Sequence, residues 1–92
     1  SGMTALPSSY TALNATTTYV QLIFCTNIDT VDRTVSISDN QGTPKVYFNS
    51  ITIQANTAMM LMASPVGIPF ASGIRWSASA GSAVNCHIVG VQ

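Results

Sequence analysis

Two cysteines, one histidine and three aspartates are the residues of this chain with obvious chemical reach. Cys25 and Cys86 stand 61 positions apart. A bridge closing a loop of that length contributes about 4 kcal/mol in the chain-entropy picture. Facing each other across a sandwich core, such a pair would resemble the immunoglobulin arrangement. Against a bridge, no basic start leads into an apolar segment in the manner of an export signal. Free cysteine is also among the most buried of side chains. Free thiols are therefore the expectation.

His87 has no cysteine, histidine or carboxylate at a spacing that would complete a metal site or a nucleophile–base pair. Its alternation with Asn85 suggests an outward position on a strand. Asp29, Asp32 and Asp39 lack the ordered ligand spacing of a calcium loop, and aspartate is a common turn former. A glycine-rich phosphate loop, a serine elbow and a pair of acids suited to glycoside hydrolysis are all missing. The expectation is no catalytic, cofactor-binding or metal site: the chain does not read as an enzyme.

Composition narrows the class further. Hydrophobic residues make up 47% of the 92, an ordinary share, but charged residues only 7%. Soluble domains average about 25% charged residues. Arg33, Lys45, Arg75, Asp29, Asp32 and Asp39 are the whole complement, and the formal net charge is zero. The surface must then be built from hydroxyl, amide and small side chains. It offers no basic patch for a phosphate backbone, so nucleic acid is not an expected partner. It also lacks the like charges that keep copies apart, which points to a homo-oligomer or one tile of an assembly. No stretch approaches the ~20 apolar residues of a membrane helix, and no membrane association is expected.

The elements that carry these residues read as strands. Tyr19 to Cys25 is rich in β-branched and aromatic types and apolar on both faces, as in a central covered strand. Val20, Leu22 and Phe24 share one face, with Tyr19, Gln21, Ile23 and Cys25 on the other. In Thr34 to Ser38, Val35 and Ile37 alternate with hydroxyl side chains. The Asn27–Arg33 connection between them, with its Asn and Asp residues, predicts a hairpin.

Further strands are expected at Lys45 to Phe48, Ile51 to Gln54, Thr57 to Met62, Ile74 to Ala78 with Trp76 facing inward or half inward, and Ala83 to Val91. Pro44, Gly42, the Ser64–Pro69 segment, Gly73 and Gly81 punctuate them. The methionines of Met59 to Met62 are expected in the core, the alternative being an adaptable contact surface. Ser1-Gly2 looks like the remnant of a tag. Residues 3–18 show neither period and read as an extended N-terminal arm, with an edge strand near Ser9 to Leu13, lying on its own domain or on a neighbour. The fold class is all-β: a single small β-sandwich, jelly-roll or immunoglobulin-like, of about seven or eight strands over residues 19–92.

Asn27-x-Asp29 followed by Arg33-Thr34-Val35 forms part of a wider pattern. So do Ile51-Thr52-Ile53-Gln54-Ala55-Asn56-Thr57, Pro65-Val66-x-Ile68 leading to Gly73, and the closing Val84 to Val91 strand. Over Tyr19 to Val91 the chain resembles the small β-sandwich structural proteins of tailed-phage virions, of head-decoration, neck or tail accessory type. It departs from them at Ile74, where family members commonly carry an acidic residue. The resemblance implies a structural subunit of the virion, assembled in the bacterial host cytoplasm, binding its own copies and other virion proteins. The residues singled out for such an interface are Leu6, Tyr10, Leu13, Tyr47 and Met59. The alternative is a carbohydrate-binding or adhesin module with a glycan partner, for which Tyr10, Tyr19, Tyr47 and Trp76 are the aromatic candidates.

Overall fold

A computed structural model describes residues 3–92; the expected tag remnant Ser1-Gly2 lies outside them. Eight strands follow in order: β1 (Thr4–Ala5), β2 (Thr11–Ala12), β3 (Thr18–Asn27), β4 (Arg33–Asp39), β5 (Val46–Ile53), β6 (Thr57–Phe70), β7 (Ile74–Ala78) and β8 (Val84–Val91). They form two four-stranded sheets, ordered β1-β8-β3-β6 and β2-β7-β4-β5. Every pairing is antiparallel. Folded back at the β4–β5 turn, the chain pairs β4 with β5, β3 with β6, β2 with β7 and β1 with β8. That nested pairing, wrapped into two layers, is the jelly roll, and it selects this order over the immunoglobulin-like one.

Between the sheets lie Val20, Ile23, Val35, Ile37, Ile53, Phe70, Ile74, Trp76 and Val84, all at most 3% exposed. The inward face of β4 is the one its alternation predicts. In β3 the predicted faces change partway along the strand. Val20 pairs with Gly90 and Leu22 with Val89, so Gln21 is one residue more than β8 can match. This bulge exchanges the two faces, and Ile23, Cys25 and Asn27 point inward beyond it.

β3 and β4 do not make the predicted hairpin, because they belong to different sheets. The connection between them is a corner clamped by Asn27. Its buried amide donates to the carbonyls of Val31 and Ile53, both at 2.9 Å, and its oxygen accepts the Asp29 N–H. Turn chemistry in a sequence marks a change of direction without saying which sheet receives the chain.

Bulges also join pieces that read as separate. The two strands expected at Lys45 to Phe48 and Ile51 to Gln54 are one strand, β5, bent at Ser50 with φ +52°. The Ser50 N–H is taken up by Ser36 Oγ at 3.0 Å. The expected strand ending at Met62 likewise continues through Pro65 to Phe70 as β6.

The N-terminal arm lies on its own domain. It supplies β1 to the first sheet and β2 to the second, while Leu6 bonds to Val84 and Ser82 through its backbone. Leu6 was expected at an interface; with 1% exposure it fills this chain's own core, where no partner reaches it. The arm is thus part of the sandwich, and the domain begins before residue 19.

Cys25 and Cys86 are register partners on β3 and β8, with Cα atoms 4.0 Å apart, and their sulfurs are bonded. This corrects the expectation of free thiols. The bridge ties two neighbouring strands of one sheet instead of crossing the core, so it differs from the immunoglobulin pair as well. Antiparallel pairing set both side chains face to face on the buried side.

Candidate functional site

The arrangement of charge distinguishes the two sheets. The strands of the first sheet, β1, β3, β6 and β8, contain no Asp, Glu, Lys or Arg. All six charged residues lie in the second sheet or in the loops beside it. Those charges hold the loops. Arg33 binds Asp29 at 2.6 Å, Asp32 accepts the Ala55 N–H, and Arg75 donates to Asn40 at 2.9 Å while lying 6.0 Å from the Tyr10 ring. The Arg33 hydrogen bond, helped by the Thr30 N–H, keeps the Asp29 carboxyl below the ordinary aspartate range. Burial opposes ionisation of Asp39, but hydrogen bonds from Gln41 and the Lys45 N–H together outweigh it and lower its pKa.

Register places a largely apolar strip, interrupted by His87, on the outer face of the first sheet. Tyr19 lies between Val91 and Pro69, Leu22 between Val89 and Ala63, and Phe24 between His87 and Met60. Tyr19, Met60, Val89 and Val91 are all exposed, at 40–58%. Three strands about 4.8 Å apart, followed over some eight residues at about 3.3 Å each, give a strip of roughly 300 Å² in projection. A strip of this size is comparable to the largest apolar patch of a typical monomer, a patch that is often functional.

A lobe rises at one end of this strip. Val20 pairs with Ile68 and Leu22 with Ala63, so β6 spends Ser64 to Gly67 where β3 spends only Gln21. The excess residues bow outward. Gln21 Nε2 fastens the lobe by donating to the Pro65 carbonyl at 3.2 Å. Gly67, at φ +79°, turns the chain back where a Cβ would sit 3.0 Å from that of Tyr19. Between lobe and sheet lies an open cleft of about 310 Å³, lined by Gln21, Leu22, Ala63, Ser64, Pro65 and Val89. Val66 stands at the tip of the lobe, 87% exposed.

The expected interface residues are scattered by the fold. Tyr10 and Leu13 are exposed on the arm beside the second sheet, and Leu6 is in the core. Tyr47 is exposed at the seam between sheets, its ring against Phe70 and its hydroxyl donating to the Pro69 carbonyl at 2.8 Å. Met59, opposite Cys25 on the edge strand, is 39% exposed, and Met60 is 50% exposed. Leu61 and Met62 pack against the core, so the methionine segment is split between the two roles considered for it.

Leu22, Phe24, Ala63, Val66 and Val89 were not singled out by the sequence. The available signal was the lack of charge across Thr18–Asn27, Thr57–Phe70 and Val84–Val91; Pro65-Val66-Gly67 reads as punctuation and as part of the virion-protein pattern, with no contact role for Val66. The aromatic candidates for a sugar platform are likewise dispersed. Trp76 is buried, Tyr10 lies under Arg75, Tyr19 is on the first sheet and Tyr47 at the seam. Among the described residues, no three His, Cys, Asp or Glu side chains come together as a metal-binding group. Comparison with protein-family models, curated proteins and solved structures gave no match to this chain.

Proposed function

We propose that this chain is a non-enzymatic structural subunit of a phage particle, joining copies of itself and neighbouring virion proteins through the outer face of its first sheet. The observation that carries the reading is the segregation of charge: a largely apolar strip with no Asp, Glu, Lys or Arg, opposite a sheet whose strands and neighbouring loops hold all six. An uncharged face can be covered without desolvating an ion, a cost of several kcal/mol per unpaired charge. The strip's roughly 300 Å² falls short of the ~800 Å² per partner in a standard stable complex. Contacts of that size gain strength when many act together, as they do in a shell or tail.

The jelly roll is used by capsid and lectin domains alike, so architecture by itself favours neither class. Burial of Trp76 removes the largest ring a sugar platform would use, and the structural reading is preferred. The bonded cysteine pair suits a particle surface, an oxidising setting, better than the reducing cytosol in which such a particle would assemble. The test is mass spectrometry of purified particles from the phage that encodes the chain. Stoichiometric presence supports the proposal. Absence from the particles, with specific signals on a glycan array, would replace it with the adhesin reading.

A further inference from the structure

We infer that the outer face of the first sheet docks on the same face of a second copy about a two-fold axis, each copy inserting Val66 into the other's cleft. This deepens the structural-subunit reading and rests on it.

The lobe presents a projection and a recess side by side. Val66 is the most exposed large hydrophobic residue among those described, and it adds nothing to its own core. The lobe that carries it is fixed at both ends, by the Gln21–Pro65 hydrogen bond and by the turn at Gly67. Ordering Val66 in a partner's recess therefore costs little further backbone entropy. The cleft is floored by Leu22, Ala63 and Val89, with Gln21 and Ser64 as its polar side chains, and is shallow and widely open, so a valine side chain can reach its floor from outside.

Because projection and recess come from one excursion of β6, a two-fold axis beside Ser64 lets both copies satisfy both contacts at once. Residue i then meets j while j meets i, the condition of an isologous interface. Charge selects the occupant. A partner bringing ionised groups to this strip would meet no Asp, Glu, Lys or Arg there, since every such residue of this chain lies in the second sheet or the loops beside it. The matching uncharged surface is the same strip on another copy. Face-to-face docking also lays Tyr19, Met60 and Val91 against apolar neighbours, extending the contact beyond the cleft.

Sedimentation velocity of the full chain, from about 1 µM to about 1 mM, provides the test. Val66→Glu and Ala63→Glu each place a carboxylate on an exposed position of the contact, and Thr43→Glu in the β4–β5 loop is the control. The expected result is a wild-type dimer whose dissociation constant rises at least ~10-fold in both contact variants and is unmoved in the control. Circular dichroism checks that each variant is folded. A mixture of Val66→Cys and Ala63→Cys proteins should form a mixed cross-linked dimer on mild oxidation.

Self-association that survives both glutamates overturns this interface and leaves the subunit reading intact, since copies then meet elsewhere. A wild-type monomer throughout the range overturns it too. If that monomer binds phage particles and Val66→Glu abolishes the binding, the face serves a different virion protein and the subunit reading stands.

Discussion

Breaking the Cys25–Cys86 bridge should be the most damaging single chemical change short of unfolding the chain. The bond spans 61 residues and so removes a large loop's worth of freedom from the unfolded ensemble. For that length the chain-entropy relation gives about 4 kcal/mol. A domain this small holds only about 5–15 kcal/mol in total, so the loss would leave it marginal. At about 4–8 °C per kcal/mol, the reduced protein should melt about 15–30 °C below the oxidised one.

Replacing both cysteines by alanine removes the same constraint together with two sulfurs that are at most 1% exposed. That adds about 1 kcal/mol for each lost apolar group. The ordering expected in thermal melts followed by circular dichroism is oxidised, then reduced, then Cys25→Ala/Cys86→Ala. Intact mass before and after reduction checks the redox state, with two hydrogens gained on reduction. Oxidised and reduced forms melting within about 5 °C of each other would refute the argument. The β3–β8 ladder would then already constrain the unfolded chain, leaving the bond nothing to restrict.

Other consequences are as specific. Asn27→Ala strips partners from the carbonyls of Val31 and Ile53 and should cost about 2–4 kcal/mol in urea unfolding; Asn27→Asp, turning a carboxylate toward those carbonyls, should cost more at neutral pH. Gly73→Ala should cost at least about 3 kcal/mol by the same measure, because φ is +110° there and a Cβ would strike the Asn14 carbonyl. Asp29 and Asp39 both have lowered pKa values in the folded state, so the unfolded chain binds more protons in acid. Their stabilisation is complete above the unfolded aspartate pKa near 4 and is lost as pH falls through the folded values. The urea midpoint should drop below about pH 4, and Asp39→Asn should start lower at pH 7 and fall less steeply.

The all-β class, the inward face of β4, the buried Trp76 and the edge strand near Ser9 to Leu13 were legible because each depends on local alternation or turn chemistry. What was not legible arises where one residue changes the count. Gln21 inverts β3, Ser50 joins two apparent strands into β5, and Ser64 to Gly67 lift out of β6 without ending it. A bulge has no reliable composition, since its cost and reward are set by the strand opposite. The cysteine pairing was hidden for a related reason: strand register, which sequence spacing does not contain, decides whether residues 25 and 86 meet. Leu6 shows the reverse error. A lone leucine in a polar arm looks available to a partner, yet the closing strand edge beside Val84 was its nearest apolar surface.

The distribution of charge bears on function precisely because so few charges are present to distribute. Each carboxylate has a structural task. Asp29 holds Arg33 and the Thr30 N–H, Asp32 holds the Ala55 N–H, and Asp39 gathers Gln41 and the Lys45 N–H. Those tasks explain why the second sheet's loops are charged, but they do not explain why the first sheet's face is not. Val66, Ala63 and Met60 are exposed positions where a lysine or glutamate would disturb no buried contact. A domain selected only for solubility as a monomer gains from charge at such sites, on an edge strand most of all. Keeping all of them apolar or small, on one face and beside a fixed apolar projection, fits a surface that is covered when the protein is at work.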